Sequence, residues 1–277
     1  MIVMPVMPAA QEKVWHALFA VQRSIPTGWT VVGGQMVHLH CAERDVAPHR
    51  TTTDGDTVMD IRADRNMLRR FTDELHALGF ESVGPSAEGH EHRWQSGQAQ
   101  IDVLIPTNLG ERSQRVLGAT GSTTVATAGG QQALSRTETV AVRVANTEGA
   151  VPRPNLVGAL IIKGAATSSP SGDNERHKAD FALLATLIRP SDSFARLGHR
   201  DRQHLRHGIE AARGSAAAHT VAGWEAALTR LERAMNPAAV GSRTGAAVWA
   251  RGKSTPASTP GSFTEATRED PGALPLG

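Results

Sequence analysis

The stretch WTVVGGQMVHLHCAE constrains the fold more than any other part of the chain. The β-branched run WTVV ends directly in Gly33 and Gly34, and the apolar run QMVHLH follows with no polar interval. β-branched residues favour a pleated strand, and a glycine pair permits a sharp reversal that a Cβ would obstruct. A strand, a Gly-Gly turn and a helix is the simplest description, with Cys41 a buried bystander just after the apolar strand.

Periodicity extends this unit in both directions. Residues 9–24 place Val14, Leu18 and Val21 on one helical stripe with Trp15 and Phe19 beside it. DTVMDIRA reads as a strand carrying Asp60. RADRNMLRRFTDELHALGF then puts Met67, Leu68, Phe71, Leu75 and Leu78 on one helical side and stops at Gly79. HEHRWQS and QAQIDVLIP, turning at Gly97, read as a hairpin whose second strand carries Asp102 inside an apolar run. Residues 117–140 are rich in Gly, Ser, Thr and Ala and predict a loop or loose hairpin, with TETVAVRVA as a strand. Beyond Pro152 and Pro154, NLVGALIIKGAAT, ERHKADFALLATLIR, RDRQHLRHGIEAARG and VAGWEAALTRLERAM all show helical spacing. The expected organisation is an α+β core over 1–150, a helical domain over 151–250 and a disordered tail over 251–277.

Apolar residues make up 40% of the 277 and charged residues 20%, which excludes fibrous and wholly disordered classes. A formal net charge of +2 gives little global attraction to nucleic acid. The single cysteine removes any intrachain disulfide and any multi-cysteine zinc site, as suits a reducing compartment. The N-terminal MIVMPVMP is a poor secretory signal, and there is no apolar run of 18 or more residues for a membrane span. A cytoplasmic protein without a membrane partner is expected.

Chemistry concentrates in TTTDGD. On an extended segment Asp54 and Asp56, at i and i+2, point to one side, where both could hold the oxygen-seeking cations that bridge a triphosphate. Asp102 could add a third carboxylate from a neighbouring strand. The glycine pair opening a helix would let backbone N–H groups reach phosphate oxygens. TTTDGD is also a good turn sequence, which is the competing reading of the pair. The pairs His38/His40, His90/His92 and His204/His207 lack evidence of convergence and read as solvated or core histidines. Arg196, Arg200, Arg202 and Arg206 form a basic run that is either a solvated face or an RNA-backbone contact.

This ordered set resembles the polymerase-beta nucleotidyltransferase superfamily, in particular the AbiEii and MenT-type toxins of toxin-antitoxin systems. The resemblance spans roughly residues 28–190. It rests on Gly33-Gly34, on Arg50, Thr52, Asp54 and Asp56 in an Arg-x-Thr-x-Asp-x-Asp stretch, on Lys163 in ALIIKGAA, and on Lys178 and Asp180 in RHKADFALLATL. Gly34 stands where many relatives carry Ser, and Gly55 and Thr57 where they carry apolar residues. The resemblance implies a polymerase-beta-like core of mixed sheet with flanking helices, followed by a C-terminal helical bundle. It implies Asp54, Asp56, Lys163 and Asp180 as catalytic residues and Asp54, Asp56 and Asp102 as ligands of Mg²⁺ or Mn²⁺. Gly33, Gly34, Arg50, Thr52 and Lys178 would bind the NTP substrate. The implied activity is transfer of nucleotides to an RNA acceptor, the tRNA 3′ end, blocking aminoacylation and translation, with a cognate antitoxin as partner. The alternatives are an inactive binding or regulatory protein of the same fold, or a transferase acting on small molecules of the antibiotic type.

Overall fold

Gly33 adopts a φ of 65°, a left-handed conformation open to glycine at little cost. Around that reversal the computed structural model builds the strand–turn–helix unit expected from the sequence. It describes residues 1–107, 116–168 and 174–236.

A short strand β1 (Ile2–Val3) precedes helix α1 (Ala9–Ser24), whose stripe Val14, Leu18 and Val21 is fully buried. Strand β2 (Trp29–Val32) leads through the glycines into α2 (Gly33–Glu43), then β3 (Gly55–Met59), α3 (Met67–Ala77) and β4 (Glu81–Ser82). The hairpin β5 (Arg93–Ser96) and β6 (Ala99–Pro106) turns at Gly97, whose φ is 65°. After it come β7 (Ala126–Thr127), α4 (Gly130–Leu134), β8 (Thr137–Val144) and β9 (Thr147–Pro154). The rest is helical: α5 (Leu156–Ala166), α6 (Asn174–Thr186), α7 (His199–Arg213), α8 (Ala216–His219) and α9 (Trp224–Met235).

The main sheet has the order β2-β3-β6-β5-β4, with β7 beside the far end of β6. It is mixed, because β3 runs parallel to β6 while β2–β3 and β5–β6 are antiparallel. The other strands among the described residues form a second sheet, β1-β8-β9. Helices flank both sheets, so the architecture is α+β with C-terminal helices, and one apolar cluster runs through strands and helices alike. Among the described residues no helix is long and apolar enough to cross a membrane.

Several local expectations change. Cys41 lies within α2, buried by the helix's inner face, rather than after a strand. Asp60 is beyond β3, where its Oδ1 accepts the backbone N–H groups of Arg62 and Ala63 and closes a turn. The Gly/Ser/Thr-rich stretch holds β7 and α4 instead of a loose hairpin. Residues 147–154, where the composition shifts, form β9; the ladder pairs it with β8 alone, so Pro152 and Pro154 withhold no donor that an inner strand would need. The same core lies on both sides of this strand. The tail expected over 251–277 falls outside the described residues.

Candidate active site

The segment before β3 is pinned from two helices. Gln35 on α2 donates from Nε2 to the Thr52 carbonyl at 3.2 Å and accepts a bond from Gln11 on α1 at 3.1 Å. His38, one turn later, meets the Arg50 carbonyl at 2.9 Å. These buried polar contacts feed the chain into β3 in a fixed register, with Asp56 opposite Val32 on one side and Asp102 on the other. Residues directly across a ladder have their side chains on the same face, so Asp56 and Asp102 are lateral neighbours.

The two departures at Gly55 and Thr57 have local causes. A Cβ at Gly55 would sit 2.7 Å from Val14 Cγ1, so α1 requires glycine there. Thr57 is buried and donates its hydroxyl to the Asp102 carbonyl at 3.1 Å. Gly33 and Gly34 are equally constrained, since side chains there would collide with Asp56 and with Thr52. The N-terminus of α2 therefore abuts the Asp56 carboxylate. Gly33→Ala combines that collision with a left-handed φ, and is expected to cost about 1–3 kcal/mol and to displace Asp56. Thermal unfolding with full recovery of the wild-type Tm would contradict this.

Electrostatics sets Asp56 apart. Neither of its oxygens takes a hydrogen bond from the described residues, and burial first, then the Asp102 charge, pushes its carboxyl up to about 6. Asp54 adds to the repulsion, while Lys163 and Arg176 oppose it. Asp102 is also raised, chiefly by burial, although Arg93 Nε at 3.4 Å and Gln100 Nε2 at 3.1 Å both donate to its Oδ1. Asp54 receives the Thr53 hydroxyl at 2.9 Å. The neighbouring carboxylates raise Asp56, and an all-oxygen donor set suits a hard divalent cation. Among the described residues no three His, Cys, Asp or Glu side chains converge closely enough to enclose a metal by themselves.

The second half of the site is cationic. Asp180 is 1% exposed and sits in the middle of α6. Its Oδ2 accepts from Lys163 Nζ of α5 at 2.7 Å and from Arg50 Nη2 at 2.9 Å, and its Oδ1 from Arg50 Nε at 3.1 Å. His49 Nε2 lies 3.6 Å from the same carboxylate. Burial would raise Asp180, but Lys163 and Arg50 outweigh it and hold the carboxyl near 2. Lys163, Arg50 and His49 thus gather around this one carboxylate, and the field of Lys163 reaches the acidic pair at Asp56. Lys163 is itself 2% exposed, so it acts on the site through its field and through Asp180.

Lys178 is placed elsewhere, pairing with Glu175 at 2.6 Å. Two neighbours on α6 were missed by sequence reasoning. Arg176 is exposed and acts electrostatically on Asp56, and His177, buried at Nδ1 without a partner, is depressed to about 4 by burial and by Lys163. The signal was present in RHKAD, where these residues precede Asp180 by one helical turn. The basic run divides. Arg202 donates to the Met235 carbonyl, Arg196 lies in the loop before α7, and Arg200 and Arg206 are exposed on α7.

No protein-family model matches the chain, and no curated protein matches it either. Among solved structures it is similar to an antigenic nucleotidyltransferase-like protein from Paracoccidioides brasiliensis, at 14% identity, covering 81% of this chain and 95% of that one, with a TM-score of 0.44. It is also similar to the antibiotic-resistance factor ANT(2'')-Ia, at 12% identity, covering 82% and 99%, with a TM-score of 0.34.

Proposed function

We propose that this protein is a metal-dependent nucleotidyltransferase. The observation that carries the reading is the pairing of Asp56 with Asp102 across parallel strands, at the glycine-led start of α2 and next to the Lys163–Asp180–Arg50 cluster. Asp54, Asp56 and Asp102 would hold Mg²⁺ or Mn²⁺, with remaining ligands from water and the triphosphate. Bound there, the cation would polarise the phosphate oxygens and offset charge developing on pyrophosphate.

The chain's own residues divide the remaining work. The N–H groups opening α2 face the phosphates, and Gly33 and Gly34 keep Cβ atoms out of their approach. Arg176 and Lys163, whose fields both reach Asp56, attract the polyphosphate. An acceptor hydroxyl attacks the α-phosphorus, forming a new P–O bond, and the bond to the α,β-bridging oxygen breaks to release pyrophosphate. The hydroxyl proton passes to water or to a site carboxylate.

Within this class we read the acceptor as RNA, the tRNA 3′ end, and the protein as a cytoplasmic toxin of the AbiEii/MenT kind held by an antitoxin. The support is the ordered motif set in the sequence. A binding-only protein is the second reading, and the observation favouring it is the absence, among the described residues, of a three-carboxylate group tight enough to enclose a metal. Incubation with labelled NTPs, Mg²⁺ and total RNA separates the two, because only the first releases pyrophosphate.

A further inference from the structure

The basic run on α7 and the turn after β3 meet at the end of the sheet opposite the carboxylates. Asp56 is the second residue of β3, and Arg62 follows the strand's last residue, Met59, by three positions; at ~3.3 Å per residue the strand alone puts about 10 Å between Asp56 and Met59. There a cavity of about 110 Å³ is lined by Arg62, Thr107, Gln131, Gln132, Arg200 and His204, with no carboxylate among the described residues that line it. Arg200 and His204 lie one turn apart on α7 and so share a face. Arg62 is held in place by Asp60, whose Oδ1 takes its backbone N–H at 3.2 Å. Gly129, at a φ of 75°, lets the chain before α4 press against Ile162, which brings the two glutamines to the rim.

Arg44, Arg136 and Arg153, which line two other cavities, are paired with Asp192, Asp201 and Glu43, whereas Arg62 and Arg200, like Arg196 beside Arg136, pair with no carboxylate among the described residues. Two unpaired guanidinium groups, an imidazole and two amide side chains around one small volume form a donor-rich pocket. Its volume is well below the ~300 Å³ of drug-sized ligand sites, so it suits one tetrahedral oxyanion rather than a nucleotide. We infer that this pocket binds a single phosphate group, either free or in an RNA backbone, and that Arg62, Arg200 and His204 are its ligands. Of the basic run on α7, the phosphate contact then falls to Arg200, while Arg202 serves the packing of α9.

The test measures full-length protein against two probes, inorganic phosphate by calorimetry and a short labelled single-stranded RNA by fluorescence anisotropy over a salt series. Arg62→Ala and Arg200→Ala are exposed changes that leave the core intact; Arg230→Ala, exposed on α9, is the control. Each pocket variant is expected to weaken RNA binding roughly tenfold and to reduce the slope of log K against log salt by about one, with the control unchanged. Phosphate binding that disappears in the double variant while RNA binding is unaffected supports the oxyanion pocket and assigns it free phosphate. Wild-type behaviour of the pocket variants toward both probes, or an equal loss in the control, overturns the proposal. Neither NTP nor metal ion enters the assay, so its outcome is separable from that of the transferase reading.

Discussion

Asp180→Ala is expected to destabilise the protein by about 3–5 kcal/mol, the largest effect of any single substitution proposed for the site. The carboxylate is almost wholly buried and is the shared partner of Lys163 and Arg50. Removing it leaves a buried ammonium without its counter-charge, which costs far more than the net contribution of an intact pair. Asp180→Asn keeps the shape and one acceptor, so it should cost less. The pH dependence has a definite sign. A carboxyl held near 2 when folded, below its unfolded value of about 3.9, adds stability above pH 4 that is lost as the pH falls from about 4 toward 2. Urea denaturation of wild type and both variants at pH 7 and pH 3 checks this. A loss below 1 kcal/mol for Asp180→Ala at pH 7 would show that Lys163 finds another partner.

Asp56→Asn should do the opposite to stability while sharply lowering activity. With its carboxyl raised to about 6, Asp56 binds a proton more readily in the folded than in the unfolded chain. Stability without added metal therefore falls as the pH rises from about 4 to 6, and at pH 7 the ionised side chain is a net cost of about 1–3 kcal/mol. The amide removes that cost, so the variant should be more stable at pH 7 without metal. Adding Mg²⁺ should raise the wild-type Tm at pH 7, because a ligand that binds only the folded state stabilises it, and the variant should lose most of that rise. Transfer should fall roughly 10²–10³-fold or more, as expected for removing a preorganised electrostatic group at a reacting phosphate. A variant less stable than wild type without metal would mean that Asp56 has a cationic partner in the protein.

The sequence disclosed elements wherever a period was long or a turn was chemically marked. The Val14, Leu18 and Val21 stripe, the Gly33-Gly34 reversal and the Gly97 hairpin turn all occur where periodicity and glycine place them. It concealed β9 because two prolines break up a strand pattern, and only the ladder shows that this strand sits at a sheet edge. It concealed β1 because a two-residue strand has no period at all. At the site, Asp102 was legible as an acid in an apolar run, but its register opposite Asp56 joins residues 46 positions apart in sequence. The Asp180 environment was less legible still. Its fork to Arg50 joins residues 130 positions apart, and helical spacing gave no hint of it. Lys178, beside Asp180 in sequence, faces Glu175 because one residue along a helix turns a side chain by about 100° and two by about 200°.

The central claim is that the carboxylates around Asp56 support nucleotidyl transfer. The most direct measurement is pyrophosphate release from each of the four NTPs with Mg²⁺ and total RNA, run beside folded Asp56→Asn. The expected result is release by the wild type with at least one NTP, label carried on RNA, and neither with the variant. A folded wild-type protein that gains stability from Mg²⁺ yet releases no pyrophosphate from any NTP, or a variant as active as the wild type, would contradict the claim.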